Sequence, residues 1–153
     1  MTIEIGDLAP DFTLKNQHGE PTTLSELVSE GPVVVVFFPF AFTGVCTGEM
    51  REIRDNLGDL EDVGAQVVAI SCDSTATLRT FADTENLTFP LLSDFWPHGA
   101  TAQAYGVFND VTGSAIRGTF VVDPERVVRW KIENGMPDAR SFEDYRVALS
   151  GTA

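Results

Sequence analysis

Val33–Glu49 reads VVVVFFPFAFTGVCTGE, a strand, a stop and a thiol at the start of a helix. Val33, Val34, Val35, Val36, Phe37 and Phe38 are β-branched or aromatic, which suits a strand buried on both faces. Pro39 cannot extend a ladder and is expected to end it. Thr43 and Gly44 carry the chain into Cys46, and from Glu49 the spacing of Met50, Ile53, Leu57 and Leu60 is helical. A thiol at the junction of a central strand and a helix N-terminus lies in a field that favours thiolate. The chemistry is expected here.

Outward from that segment, the pattern predicts an α/β chain. Phe12–Leu14 and Thr22–Leu24 flank Asn16-Gln17-His18-Gly19, the signature of an N-terminal hairpin, and Ser25–Glu30 reads as a short helix. The helix after Cys46 is expected to run to about Asp62, with Gly64 closing it. Gln66–Ser71 reads as a second buried strand, Thr75–Glu85 as a helix, Leu91–Leu92 as a short strand and Ala100–Ala104 as a short helix. Gly118–Val122 and Val127–Ile132 form a hairpin about Asp123-Pro124-Glu125, and Ser141 starts a C-terminal helix with Phe142, Tyr145 and Leu149 on its apolar side. Strand–helix–strand–helix followed by a hairpin and a helix implies one mixed sheet covered by helices. With no repeat, linker or low-complexity segment, residues 1–153 are expected to form one domain.

Composition excludes several function classes. Hydrophobic residues make up 43% and charged residues 22%, a globular balance. Net charge is −13, which argues against nucleic acid and anionic membrane as partners. Val33–Phe42, the longest apolar stretch, is about half a membrane span. MTIEIGDLAPDF has neither a basic n-region nor an apolar h-region, so no signal peptide is expected. Two cysteines without a secretion signal point to the cytoplasm and to reactive or buried thiols. Lys15 and Lys131 are the only lysines, and the acidic excess reads either as a merely acidic protein or as a salt-adapted surface.

An ordinary thiol of pKa ~8.5 is only about 3% thiolate at pH 7. A helix N-terminus supplies about 0.3–1 kcal/mol, up to ~2 when partly buried, against about 1.4 kcal/mol per pKa unit. Full ionisation therefore needs a cation or further donors. Thr43 can turn its hydroxyl to the same pocket, and Arg117 precedes a strand whose end is the right kind of place for a guanidinium to reach Cys46.

Pro39-Phe40-Ala41-Phe42-Thr43-Gly44-Val45-Cys46 fits the P-x-x-x-T-x-x-C signature of peroxiredoxins, thiol peroxidases of thioredoxin fold. Gly6–Phe12, Phe89–Asp94 and Arg117–Asp123 resemble further segments of that family, in family order and across essentially the whole chain. Asp94–Gly99 with Ala104–Phe108 looks most like the one-cysteine, alkyl hydroperoxide reductase E-like branch. The resemblance implies a thioredoxin-like fold and a peroxidase that reduces hydrogen peroxide and organic hydroperoxides through a Cys46 sulfenic acid. An external thiol (thioredoxin, a glutaredoxin-like protein or a low-molecular-weight thiol) would recycle it. It further implies that Thr43 and Arg117 hold the peroxide oxygens, that Pro39 shields the site from water, that Glu49 orients an arginine, that Arg140 is a second supporting arginine, and that the chain forms a homodimer. No metal or other cofactor is required, and the two histidines have no ligand spacing around them.

Plainer readings stand beside these. Glu49 could simply favour the helix dipole, Thr43 could cap the helix, and Arg140 could be solvated. A carboxylate facing the sulfur would oppose ionisation, so a catalytic Glu49 should point at an arginine instead. Trp96 and Phe42 are open between pocket rim, subunit contact and core, and His98 reads as structural. Cys72 is either a small apolar residue at a strand end or a resolving partner for Cys46; position 51 is Arg51, and the C-terminal tail has no cysteine. A peroxide-sensing or chaperone-type switch is the alternative function. A disulfide reductase fails because Glu49 stands where C-x-x-C needs its second cysteine.

Overall fold

The computed structural model describes residues 3–134 and 142–150. Strands β1 (Thr13–Lys15) and β2 (Pro21–Thr23) form the N-terminal hairpin, and α1 (Leu24–Leu27) continues into a 3-10 turn, Val28–Glu30. Then follow β3 (Val33–Phe37), α2 (Gly44–Asp55), α3 (Leu57–Asp62), β4 (Gln66–Ser71), α4 (Thr75–Glu85), β5 (Leu91–Ser93) and α5 (Ala100–Ala104). A two-residue hairpin, β6 (Phe108–Asn109) and β7 (Ser114–Ala115), precedes β8 (Arg117–Val122), β9 (Val128–Asn134) and α6 (Phe142–Ser150). Seven strands share one sheet in the order β2-β1-β5-β4-β3-β8-β9. β3, β4 and β5 run parallel; β8 returns antiparallel to β3 and β9 to β8.

β3 lies at the centre and every residue of it is buried, as a strand covered on both faces requires. Its side chains divide by parity. Val34 and Val36 join Cys46, Met50, Ile53, Leu78, Phe81 and Tyr145 on the face covered by α2, α4 and α6. Val33, Val35 and Phe37 pack with Leu24, Ala102, Tyr105 and Phe120 on the face covered by α1 and α5. The ring of Phe37 meets those of Tyr105 and Phe120 at 5.2 and 6.0 Å between centroids.

Two expectations are corrected and one open choice is narrowed. The cysteine-bearing helix begins at Gly44, so Cys46 lies inside its first turn rather than ahead of it. That helix does not run unbroken to Asp62: Asn56, at φ −117° and ψ 15°, divides it into α2 and α3. Trp96 is 81% exposed and Phe42 51%, so neither is a core residue, although the Phe42 ring leans on Phe81 at 5.1 Å. Ser141, Arg140 and the side chain of Phe142 lie outside what the structure describes.

Candidate active site

The site is assembled where β3 gives way to α2 and where β8 begins. β3 stops before the buried Pro39, and Thr43 occupies the N-cap of α2 in an extended conformation. In an α-helix the first four amides have no intrahelical partner, so the turn bearing Cys46 presents N–H groups and a partial positive charge. Cys46 and Glu49 are three residues apart and therefore share a face of α2. Both are buried, at 0% and 4% exposure.

Arg117 arrives on that face from the start of β8, on the same side of the strand as Thr119 and Val121. It is 3% exposed. One of its terminal nitrogens, Nη1, donates to Sγ of Cys46 at 3.2 Å and to Oε1 of Glu49 at 2.5 Å. A guanidinium can be buried here because a carboxylate neutralises it with good geometry. Glu49 thus points at an arginine, the orientation that spares the sulfur a facing carboxylate. Near it, the Thr119 hydroxyl lies 3.4 Å from the Tyr145 hydroxyl of α6.

Thr43 is exposed, and its hydroxyl donates to Phe40 O at 2.8 Å within its own loop; α2 has no side-chain cap. The hydroxyl keeps its lone pairs for another donor. Phe42, between the two, has a positive φ of 68°. Sequence reading passed over Asp73, whose carboxylate accepts the Ala41 amide at 2.9 Å and so reaches into the Pro39–Thr43 loop. No pattern marks such a residue, because its partner is a backbone amide.

Cys72 is buried just after β4, beside Asp94 and the backbone of Ala115, which belongs to the cluster opposite the one that contains Cys46. Burial, with the nearby Asp94 carboxylate, pushes its thiol up to about 12. Both cysteines are free thiols. His98 is structural: Nε2 lies 2.6 Å from Gly113 O, and its ring stacks edge-on to Phe95 and Phe108. Among the described residues no cluster of three metal-binding side chains exists, and no helix is long and apolar enough to cross a membrane.

A mixed α/β sheet that seats one buried cysteine against an arginine at a strand–helix junction defines a thiol chemistry on a thioredoxin-like fold. Comparison with known proteins bears this out, residues 5–131 matching the AhpC/TSA family. The chain belongs to that family. It is 44% identical over 151 residues to alkyl hydroperoxide reductase E of Mycobacterium tuberculosis, covering 97% of this chain and 99% of that protein. A peroxiredoxin of Thermoplasma volcanium is 30% identical over 151 residues, 94% of this chain and 72% of that one. Among solved structures, peroxidoxin BcpB of M. tuberculosis superposes with a TM-score of 0.84 at 35% identity, covering 97% of this chain and 95% of its own. AhpC of Enterococcus faecalis superposes at 0.86 with 26% identity, covering 99% and 92%.

Proposed function

We propose that this chain is a thiol-dependent peroxidase that reduces hydrogen peroxide and organic hydroperoxides, with Cys46 as the nucleophile. The observation that carries the reading is the single Arg117 nitrogen divided between Cys46 Sγ and Glu49. The Cys46 thiolate attacks the terminal oxygen of the peroxide, the O–O bond breaks, and the leaving alkoxide or hydroxide takes a proton and departs as alcohol or water. The sulfur keeps the terminal oxygen as sulfenic acid. Arg117 and Thr43 meet the charge as it spreads over both oxygens, which is worth more than thiolate population alone, since nucleophilicity falls with pKa. Glu49 holds Arg117, and Pro39 keeps water off the sulfur. Arg140 is assigned a supporting role on family resemblance alone.

A first external thiol condenses with the sulfenic acid to give a mixed disulfide and water, and a second thiol releases Cys46 as thiol. The position of Cys72 beside Ala115, across the sheet from the cluster that contains Cys46, together with its suppressed ionisation, supports this one-cysteine scheme over resolution by Cys72. Two free thiols support a reducing, cytoplasmic setting. The exposed rings of Phe42 and Trp96 support either a pocket rim or contact with a second copy in a homodimer. The acidic excess supports salt adaptation.

Stopped-flow peroxide consumption tests the reading. Fast single-turnover oxidation that disappears in Cys46→Ser is expected; a slow rate typical of a free thiol would replace the peroxidase with a redox sensor. Cys72→Ser should keep full turnover with an external thiol. Loss of turnover together with a Cys46–Cys72 disulfide by mass spectrometry would establish a two-cysteine scheme instead. A panel of thioredoxin, glutaredoxin-like protein and low-molecular-weight thiols identifies the reductant.

A further inference from the structure

The Pro39–Thr43 segment has no regular structure of its own, so its shape must be imposed from outside. Phe38 N still donates to Ile70 O at 3.0 Å, extending the β3–β4 ladder by one step. Beyond that step, Ala41 N donates to Oδ2 of Asp73 at 2.9 Å. The same oxygen accepts Ser71 Oγ at 2.7 Å, and Asp73 N donates back to Ser71 Oγ at 3.3 Å. Ser93 Oγ donates to Asp73 O at 2.7 Å. Asp73 is therefore fastened to the ends of β4 and β5, with its carboxylate turned to the loop.

What the loop needs holding against is visible one residue on. Phe42 sits at φ 68°, a left-handed conformation that a bulky residue adopts only where its surroundings impose it. Restraints stand on both sides of it: the Asp73 carboxylate on Ala41, and the Thr43 hydroxyl on Phe40 O. The first of these restraints bears on the turn that sets the Thr43 side chain, not on the helix that carries Cys46.

We infer that Asp73 is a positioning residue for peroxide reduction, acting through the Ala41 amide to hold the Phe42 turn and so the placement of Thr43 ahead of Cys46. The inference rests on Cys46 being the peroxidatic nucleophile. Asp73 touches no reacting atom. Its requirement is for an acceptor rather than a charge, because one oxygen takes both donors and an amide oxygen can do the same.

The experiment compares Asp73→Asn and Asp73→Ala with the unaltered protein and with Cys46→Ser. Single-turnover oxidation of Cys46 by hydrogen peroxide is measured beside its alkylation by iodoacetamide, at a temperature where circular dichroism shows every variant folded. Asp73→Ala should slow oxidation at least about tenfold, Asp73→Asn should stay within about threefold of the original rate, and alkylation should stay within about threefold in both. The electrophile needs the sulfur but not the aligned loop. Oxidation by Asp73→Ala at the original rate, equal slowing by both variants, or alkylation falling in step with oxidation would each overturn the inference. Slow oxidation in the unaltered protein, or fast oxidation in Cys46→Ser, strikes the peroxidase reading instead and is thereby told apart. Should Asp73→Ala not fold, amide exchange in the unaltered protein decides: Ala41 should exchange at least about tenfold more slowly than Phe42, and equal rates would overturn the proposal.

Discussion

Arg117 Nη1 is divided between Sγ of Cys46 and Oε1 of Glu49, and the consequences of removing it differ for stability and for rate. Arg117→Met removes a buried guanidinium that donates to the Glu49 carboxylate at 2.5 Å, and breaking that buried pair is expected to destabilise the fold by about 3–5 kcal/mol. If Arg117 acts on the peroxide as proposed, the same variant should also slow Cys46 oxidation by roughly 10²–10³-fold. Adding Glu49→Gln to it should restore part of the stability and none of the rate. Urea denaturation and stopped-flow oxidation read the two quantities separately, and a double variant that recovers both would refute the assignment of Arg117 to the chemistry. Cys72 makes a second contrast. Burial and the Asp94 carboxylate both oppose a negative charge on its sulfur, so ionisation is pushed up to about 12 and the thiol stays protonated at pH 9. In the folded protein iodoacetamide at pH 9 should label Cys46 and leave Cys72 unmodified until denaturant is added; prompt labelling of both would sink this. The meeting of Cys46, Glu49 and Arg117 was legible in the sequence because each is marked by its own side chain near a strand end. Asp73 was not, since the group it binds is the amide of Ala41, which every residue but proline carries.

Buried runs were the most legible elements. β4, α4 and α5 coincide with the stretches their patterns predict, because a covered strand is uniformly apolar and a one-sided helix alternates with its turn. The break at Asn56 escaped the same reasoning. Met50, Ile53 and Leu60 are all buried on one continuous stripe, with Leu57 partly so, and that spacing is unaltered by a single irregular residue between two helices. β6 and β7 escaped because two residues are too few to show a period. The single registered contact of Lys15 with Ser93, which attaches the hairpin to the sheet through β5, has no sequence signal at all. One glycine governs how the parallel pair begins. Gly31 has a φ of 149°, and a Cβ there would stand 2.4 Å from Gly64 O, the turn that feeds β4. The two turns are also tied by Gln66 N donating to Pro32 O at 2.9 Å, so neither can withdraw freely. Gly31→Ala should cost about 2–4 kcal/mol from backbone strain and overpacking. Because Gly31 lies at the end of β3 opposite Cys46, single-turnover oxidation at 25 °C should be unchanged. Urea titration showing a loss below about 1 kcal/mol would mean that the turns can separate.

For the molecule as a whole, the decisive quantity is charge: 23 acidic side chains against 10 basic ones, a net of −13. The cations do find partners, as in Arg51 with Glu85, Arg54 with Asp55 and Arg129 with Asp123. Exposed pairs of this kind contribute little each, about 0–1 kcal/mol, and they cannot offset the excess of carboxylates. Folding concentrates that excess on a small surface, and the repulsion disfavours the compact state unless salt screens it. The Debye length falls from about 10 Å at 0.1 M to about 3 Å at 1 M, so the relief should be concentrated in that interval. If the surface is adapted to salt, Tm should rise by about 3–8 °C between 0.1 and 1 M KCl, which corresponds to roughly 1–2 kcal/mol for a chain of this size. Sucrose at matched osmolality supplies the control. It favours burial by exclusion from the surface but screens no charge, and it should reproduce only a minor part of the rise. A melting curve that is flat or falling in KCl, or one that sucrose reproduces in full, would leave an acidic protein with no dependence on salt for its stability.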